Sequence, residues 1–169
     1  MSTAIAGLSA GPTVSIGQIA ASSERETVIS ALGLGSCVGV VLADQRACVA
    51  GMAHVMLPQS AATSTGPPGK FADTAVPALI DSLLDLGADP SRLVAKIAGG
   101  AQMFRTGSRG GNAFNIGERN AEAVRAALAA AGIRVRAADV GGNSGRIMQV
   151  AVGSGTVTVR AIGGGPVEL

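Results

Sequence analysis

The chain has 169 residues, 47% of them hydrophobic, with no Trp or Tyr, three Phe and a formal net charge of +2. That length fits one domain with a sizeable core, built here from Ala, Val, Leu, Ile and Gly. The scattered charge and scarce aromatics exclude the basic stripe with stacking partners that nucleic-acid binding needs, and no run approaches the ~18 apolar residues of a spanning helix, so no membrane insertion is expected.

Met1 to Pro12 lacks hydrophobic period and has no charged segment leading into an apolar stretch. It reads as a loosely ordered tail, not a secretory signal, with residues 13–169 forming the domain. Strands are predicted at Val28 to Leu32, Val38 to Leu42 and Val49 to Leu57, separated by Gly33, Gly35 and the Asp44-Gln45-Arg46 turn. Ala61 to Lys70 has the composition of an exposed loop. Ala72, Val76, Leu79, Leu83 and Leu86 then recur at helical spacing, stopped by Gly87 and Pro90. Pro77 predicts a late start or a kinked first turn.

Leu93 to Ala98 is predicted as a strand. Asn115 three residues before Glu118 has the form of a capping box, and Ala121, Val124, Leu128 and Ala131 make the apolar stripe of a second helix ending at Gly132. Ile133 to Ala137, Ile147 to Val152 and Thr156 to Ile162 complete the strands, the last two joined by a Gly153-Ser154-Gly155 hairpin turn. Runs of strands with two helices give an α+β layered class with a mostly antiparallel sheet.

The chemistry concentrates in two residues. His54 is the sole histidine, the side chain suited to acid–base work near neutral pH. Cys37 closes Gly33-Leu34-Gly35-Ser36-Cys37, where two glycines allow a sharp turn and leave room for substrate. One strand, a turn and most of a second strand separate the pair, so an antiparallel hairpin can bring them together. A thiol paired with imidazole is then expected as thiolate. The alternative is a buried Cys and a hydrogen-bonded structural His. Cys48 reads as core filler. Two cysteines cannot form a disulfide framework, and a reducing cytoplasm is the simpler setting.

Other motifs carry less. In Gly33-Leu34-Gly35, Val38 occupies the third glycine's place of a dinucleotide fingerprint, and a strand follows. Gly107 to Gly111 lacks the Gly-Lys-Ser/Thr ending of a phosphate loop. One His and two Cys fall short of four zinc ligands, so no metal or other cofactor is expected.

Taken in order, Leu32-Gly33-Leu34-Gly35-Ser36-Cys37-Val38, Gly51-Met52-Ala53-His54-Val55-Met56-Leu57-Pro58 and Pro68-Gly69-Lys70-Phe71-Ala72-Asp73-Thr74-Ala75 resemble the CheD family of chemoreceptor glutamine deamidases. Lys96-Ile97-Ala98-Gly99-Gly100-Ala101, Asn115-Ile116-Gly117-Glu118-Arg119-Asn120, Asp139-Val140-Gly141-Gly142-Asn143 and the terminal Gly163-Gly164-Gly165 extend the likeness from about Val14 to the end. The resemblance implies an α/β sandwich carrying a Cys–His–Thr triad, with the family's Cys and His at Cys37 and His54. The threonine's slot, six residues before the cysteine, holds Ala31, with Ser30 expected on the opposite strand face.

The implied activity is conversion of glutamines to glutamate on the cytoplasmic helices of bacterial chemoreceptors, with receptor methyl-ester hydrolysis as a second reaction and a CheC-type phosphatase as partner. Backbone N–H groups around Gly35, Ser36 and Cys37 are the expected oxyanion donors. Gly99-Gly100, Gly141-Gly142 and Asn143 read as turn formers, with substrate contact the alternative for Asn143 and Arg146. Lys70, Phe71 and Asp73 divide the same way between packing and substrate. Two other functions stay open: a catalytically weakened regulator that binds the phosphatase, and a cysteine hydrolase of small amides.

Overall fold

The computed structural model describes residues 7–103 and 115–169, so the first residues of the expected tail and Gly107 to Gly111 lie outside the described residues. In chain order the elements are β1 (Ser9–Thr13), β2 (Ile19–Ser22), β3 (Thr27–Leu34), β4 (Val38–Asp44), β5 (Val49–Val55), α1 (Ala72–Asp85), β6 (Val94–Gly99) and α2 (Ile116–Ala130). β7 (Arg134–Val140), β8 (Arg146–Ala151), β9 (Val157–Ala161) and β10 (Pro166–Glu168) follow. They form two five-stranded sheets, ordered β1-β3-β8-β9-β10 and β2-β5-β4-β6-β7. The expected α+β layering and mostly antiparallel pairing hold; the only parallel pairs among the described strands are β1–β3 and β6–β7.

Strand alternation explains the layers. Along β4, Val38, Val40 and Leu42 pack with Val76, Leu79, Leu83, Val124 and Leu128 of the helices, while Val41 and Ala43 pack with Ile29, Met148 and Val150 of the other sheet. Every residue of β4 and β5 is therefore buried. The order is helices, central sheet, outer sheet, and a strand covered on both faces reads as a continuous apolar run.

Several expectations are corrected. Ser9–Thr13, which falls in the expected tail except for Thr13, is an exposed strand paired with β3. α1 begins at Ala72 and keeps Pro77 inside it, so the helix does not start late, and Leu86 is exposed as its C-cap. Asn115 is the N-cap of α2 but its side chain makes no capping hydrogen bond, and Ala131 lies exposed beyond the helix end. Cys48 is only half-buried, in a tight turn at φ 55°, and its Sγ faces the Gln45 carbonyl.

At the end of β4 away from Cys37, the fully buried Asp44 carboxylate accepts from the backbone of Arg46, Ala47 and Asp89 and pairs with Arg92 at 2.8 Å. Burial alone would raise its pKa, but the Arg92 hydrogen bonds and the Asp89 and Ala47 amides outweigh that and hold it at about 2, against an ordinary 3.8. A depressed carboxylate stabilises the fold above its unfolded pKa, and that contribution is lost as pH falls through the folded value. Urea titrations of the wild type should therefore lose about 2 kcal/mol between pH ~4 and ~2. Asp44→Asn should be less stable at pH 7 and show a flatter decline over that acid range.

Candidate active site

Cys37 sits where the chain enters β4. The preceding turn is fixed by Gly35 N–H donating to the Gly33 carbonyl, by Ala101 N–H donating to Gly35, and by Gly100 N–H donating to the Cys37 carbonyl. Gly99, at φ 110°, lies so close that any Cβ there would run into that Cys37 carbonyl, so only glycine fits. The register of β4 and β5 sets Gly39 opposite His54. Side chains two apart share a face, which puts Cys37 and His54 on the same inter-sheet face as diagonal neighbours across the pair. Gly39 leaves the position between Cys37 and Val41 without a side chain, and Leu34 and Met148 fill in from the outer sheet.

The imidazole is buried, and its Nδ1 lies 3.0 Å from the Val14 carbonyl oxygen. A carbonyl can only accept, so Nδ1 carries the proton and Nε2 of the neutral ring bears the lone pair. That Nε2 has no hydrogen-bond partner among the described residues. Val14 is held in turn by its own N–H donating to Ser30, while Gly17 N–H donates to the His54 carbonyl and His54 N–H to Gln18. The crossing from β1 to β2 thus straps His54 to both sheets.

Burial pushes the Cys37 thiol above its ordinary 9.0. Burial also pulls His54 below 6.5, against the opposing effect of the Val14 hydrogen bond. Burial in the apolar inter-sheet layer penalises both charges, and so favours a neutral thiol beside a neutral imidazole over the thiolate–imidazolium expected from the sequence.

The remaining residues divide clearly. Ala31 is fully buried on the inter-sheet face of β3, whereas the Ser30 hydroxyl on the other face accepts from Gln149 at 3.0 Å. Ser30 therefore does not replace the missing threonine. Gly35 N–H is already used by Gly33, which removes it as an oxyanion donor; the Ser36 and Cys37 amides have no turn or loop partner among the described residues. Asn143 lies exposed on the bend between β7 and β8. The nearly buried Arg146 donates to the Gly99 and Gly141 carbonyls and pairs with Asp139, bracing the turns beside Cys37. Asp73 accepts from Ser60, Phe71 bridges to Leu57, and Lys70 lies over the Phe71 ring.

Two participants escaped the sequence reading. The Val14 carbonyl has no side-chain signature. Asn120 had one, as the polar residue on a buried helical stripe: it is fully buried, and its Nδ2 donates to the Ser36 and Met56 carbonyls at 2.9 Å each.

Residues 56–161 match the family described as CheD chemotactic sensory transduction. A Desulforamulus reducens protein named probable chemoreceptor glutamine deamidase CheD is 49% identical over 86% of both chains. The Thermotoga maritima chemoreceptor glutamine deamidase CheD is 50% identical over 82% of this chain and 84% of its own. This chain belongs to the CheD family. A Symbiobacterium thermophilum relative, also named probable chemoreceptor glutamine deamidase CheD, extends the likeness to 92% of this chain at 45% identity. The matched family segment begins just after His54 and so leaves Cys37 and His54 outside it. Among the described residues, no helix of this CheD-family chain is long and apolar enough to cross a membrane.

Proposed function

We propose that this chain is a protein-glutamine deamidase acting on bacterial chemoreceptors through a thioester at Cys37. The observation that carries the reading is the fixed tautomer of His54: Nδ1–H is committed to Val14, leaving a buried, unpartnered Nε2 on the face it shares with Cys37. A base in that state takes the thiol proton as sulfur attacks. The substrate class follows from the relatives' names.

Cys37 Sγ bonds to the glutamine δ-carbon while its proton passes to His54 Nε2, and the Ser36 and Cys37 amides stabilise the oxyanion. His54 then protonates the departing nitrogen, the C–N bond breaks, and ammonia leaves a thioester. Water gives a proton to the now neutral Nε2 and adds to the thioester carbon; the C–S bond breaks, leaving glutamate and the Cys37 thiol. Val14 takes the orienting place of the family threonine, and a carbonyl fixes the tautomer as well as a hydroxyl can. The same thioester route serves receptor methyl esters, with methanol as leaving group. A CheC-type phosphatase is the proposed partner, and the cytoplasmic helices of receptors set the location.

Incubation with a receptor cytoplasmic fragment should release ammonia, and free glutamine should not. Equal release from free glutamine would favour a small-amide hydrolase; no release from either would favour the regulator.

The pH profile follows from the neutral pair. Because the base must be deprotonated and its pKa lies below 6.5, kcat/KM should hold level at pH 7 and fall only below pH 6.5. Iodoacetamide should label Cys37 slowly at pH 7 and accelerate only above pH 9, because burial raises the thiol. An acid limb above 6.5, or fast labelling at pH 7, would contradict the neutral resting pair.

A further inference from the structure

We infer that Asn120 is a positioning residue for the Cys37–His54 pair, its side-chain amide replacing a backbone rung where β4 and β5 separate beside the nucleophile. The inference rests on the deamidase reading and deepens it.

The β4–β5 ladder ends at Val38 and Val55. One residue further, β5 turns away: Met56 and Leu57 both donate their N–H groups to the Lys70 carbonyl. The Ser36 carbonyl, next to Cys37, thereby loses the Leu57 N–H that a continued ladder would bring to it, and the Met56 carbonyl, two residues beyond His54, lies past the end of β5. Asn120 Nδ2 satisfies both at 2.9 Å. Two carbonyls require two donated hydrogens, so the NH2 end of the amide must face them and the orientation is fixed.

The other end of the same side chain argues that this bridge is why an amide stands there. Gly117, Asn120, Ala121, Val124 and Leu128 form the buried stripe of α2, and an apolar residue would suit helix packing at each position. Asn120 instead buries an Oδ1 with no hydrogen-bond partner among the described residues. Such an atom is costly to keep, and the two bonds at Ser36 and Met56 offset that cost. α2 thus sets the entry angle of the Cys37 turn against the end of the His54 strand. Small displacements of a nucleophile from its base cost rate far more than they cost binding.

Asn120→Ser, which withdraws the bridge, should lower kcat for ammonia release from the receptor fragment about tenfold or more, with KM within about twofold. Val124→Ala removes comparable packing from the same buried stripe and should change kcat and KM by no more than about twofold. Equal kcat values for the two variants would overturn the inference. A second measurement does not depend on either variant folding or on turnover. In the 15N spectrum, the Asn120 side-chain NH2 pair should shift on Cys37→Ala while that of Gln149, bonded to Ser30 on the outer face, stays in place. An unmoved Asn120 pair would overturn the positioning role. Absence of ammonia release from the wild type would sink the deamidase reading and leave this spectroscopic test standing.

Discussion

Cys37→Ala should release ammonia from a receptor fragment at no more than about a thousandth of the wild-type rate, since the proposed thioester forms on Cys37. The residual rate is what the amides around Ser36 and the bound geometry supply without a nucleophile. The fold should survive. Cys37 lies at the entrance of β4, at one end of the inter-sheet cluster, and alanine removes only one sulfur atom from it. Far-ultraviolet dichroism and melting should therefore stay near wild type while turnover vanishes. Cys48→Ala is the matched control: its half-buried turn carries no part of the mechanism, so its turnover should equal wild type.

His54→Gln should cost about a thousandfold to ten-thousandfold in kcat, the range seen when the base of a nucleophile–His pair is lost or mistuned. Glutamine keeps a donor for the Val14 carbonyl and approximates the ring's volume, so the strap from β1 to β2 can remain in place. It has no nitrogen able to take the thiol proton. KM should move little, since the imidazole is buried in the inter-sheet layer and presents no broad surface to a receptor helix. A loss of less than about tenfold, with the fold intact, would mean another group serves as base.

The chain's layering was partly legible before any coordinates. β4 reads as an unbroken apolar run, the mark of a strand covered on both faces, and the two helical stripes were visible as stripes. That the strands divide into two sheets was not legible, because sheet membership depends on pairings far apart in sequence, such as β3 with β8. Local signals also failed where tertiary contacts took over. Asn115 has the spacing of a cap, yet its side chain caps nothing. Ser9–Thr13 lacks strand composition, and it pairs because β3 offers it an edge.

The site divides the same way. Cys37 after two glycines and a sole histidine could be singled out by residue type, and hairpin geometry brings them to one face. Their protonation could not be read, because it depends on the outer sheet that closes over them. Residue type points to a side chain near Ala31 as the orienting partner, and a backbone carbonyl some forty residues from His54 in sequence supplies it instead. Asn120 broke the apolar rule of its own stripe; an amide on a buried helical face is the signal to follow.

The most direct measurement of the central claim is the mass of a receptor cytoplasmic fragment after incubation, read peptide by peptide. With the wild type, particular glutamine-containing peptides should gain the ~1 Da that separates amide from acid, and with Cys37→Ala none should. Equal gains with both proteins, or none with the wild type, would contradict thioester deamidation at Cys37.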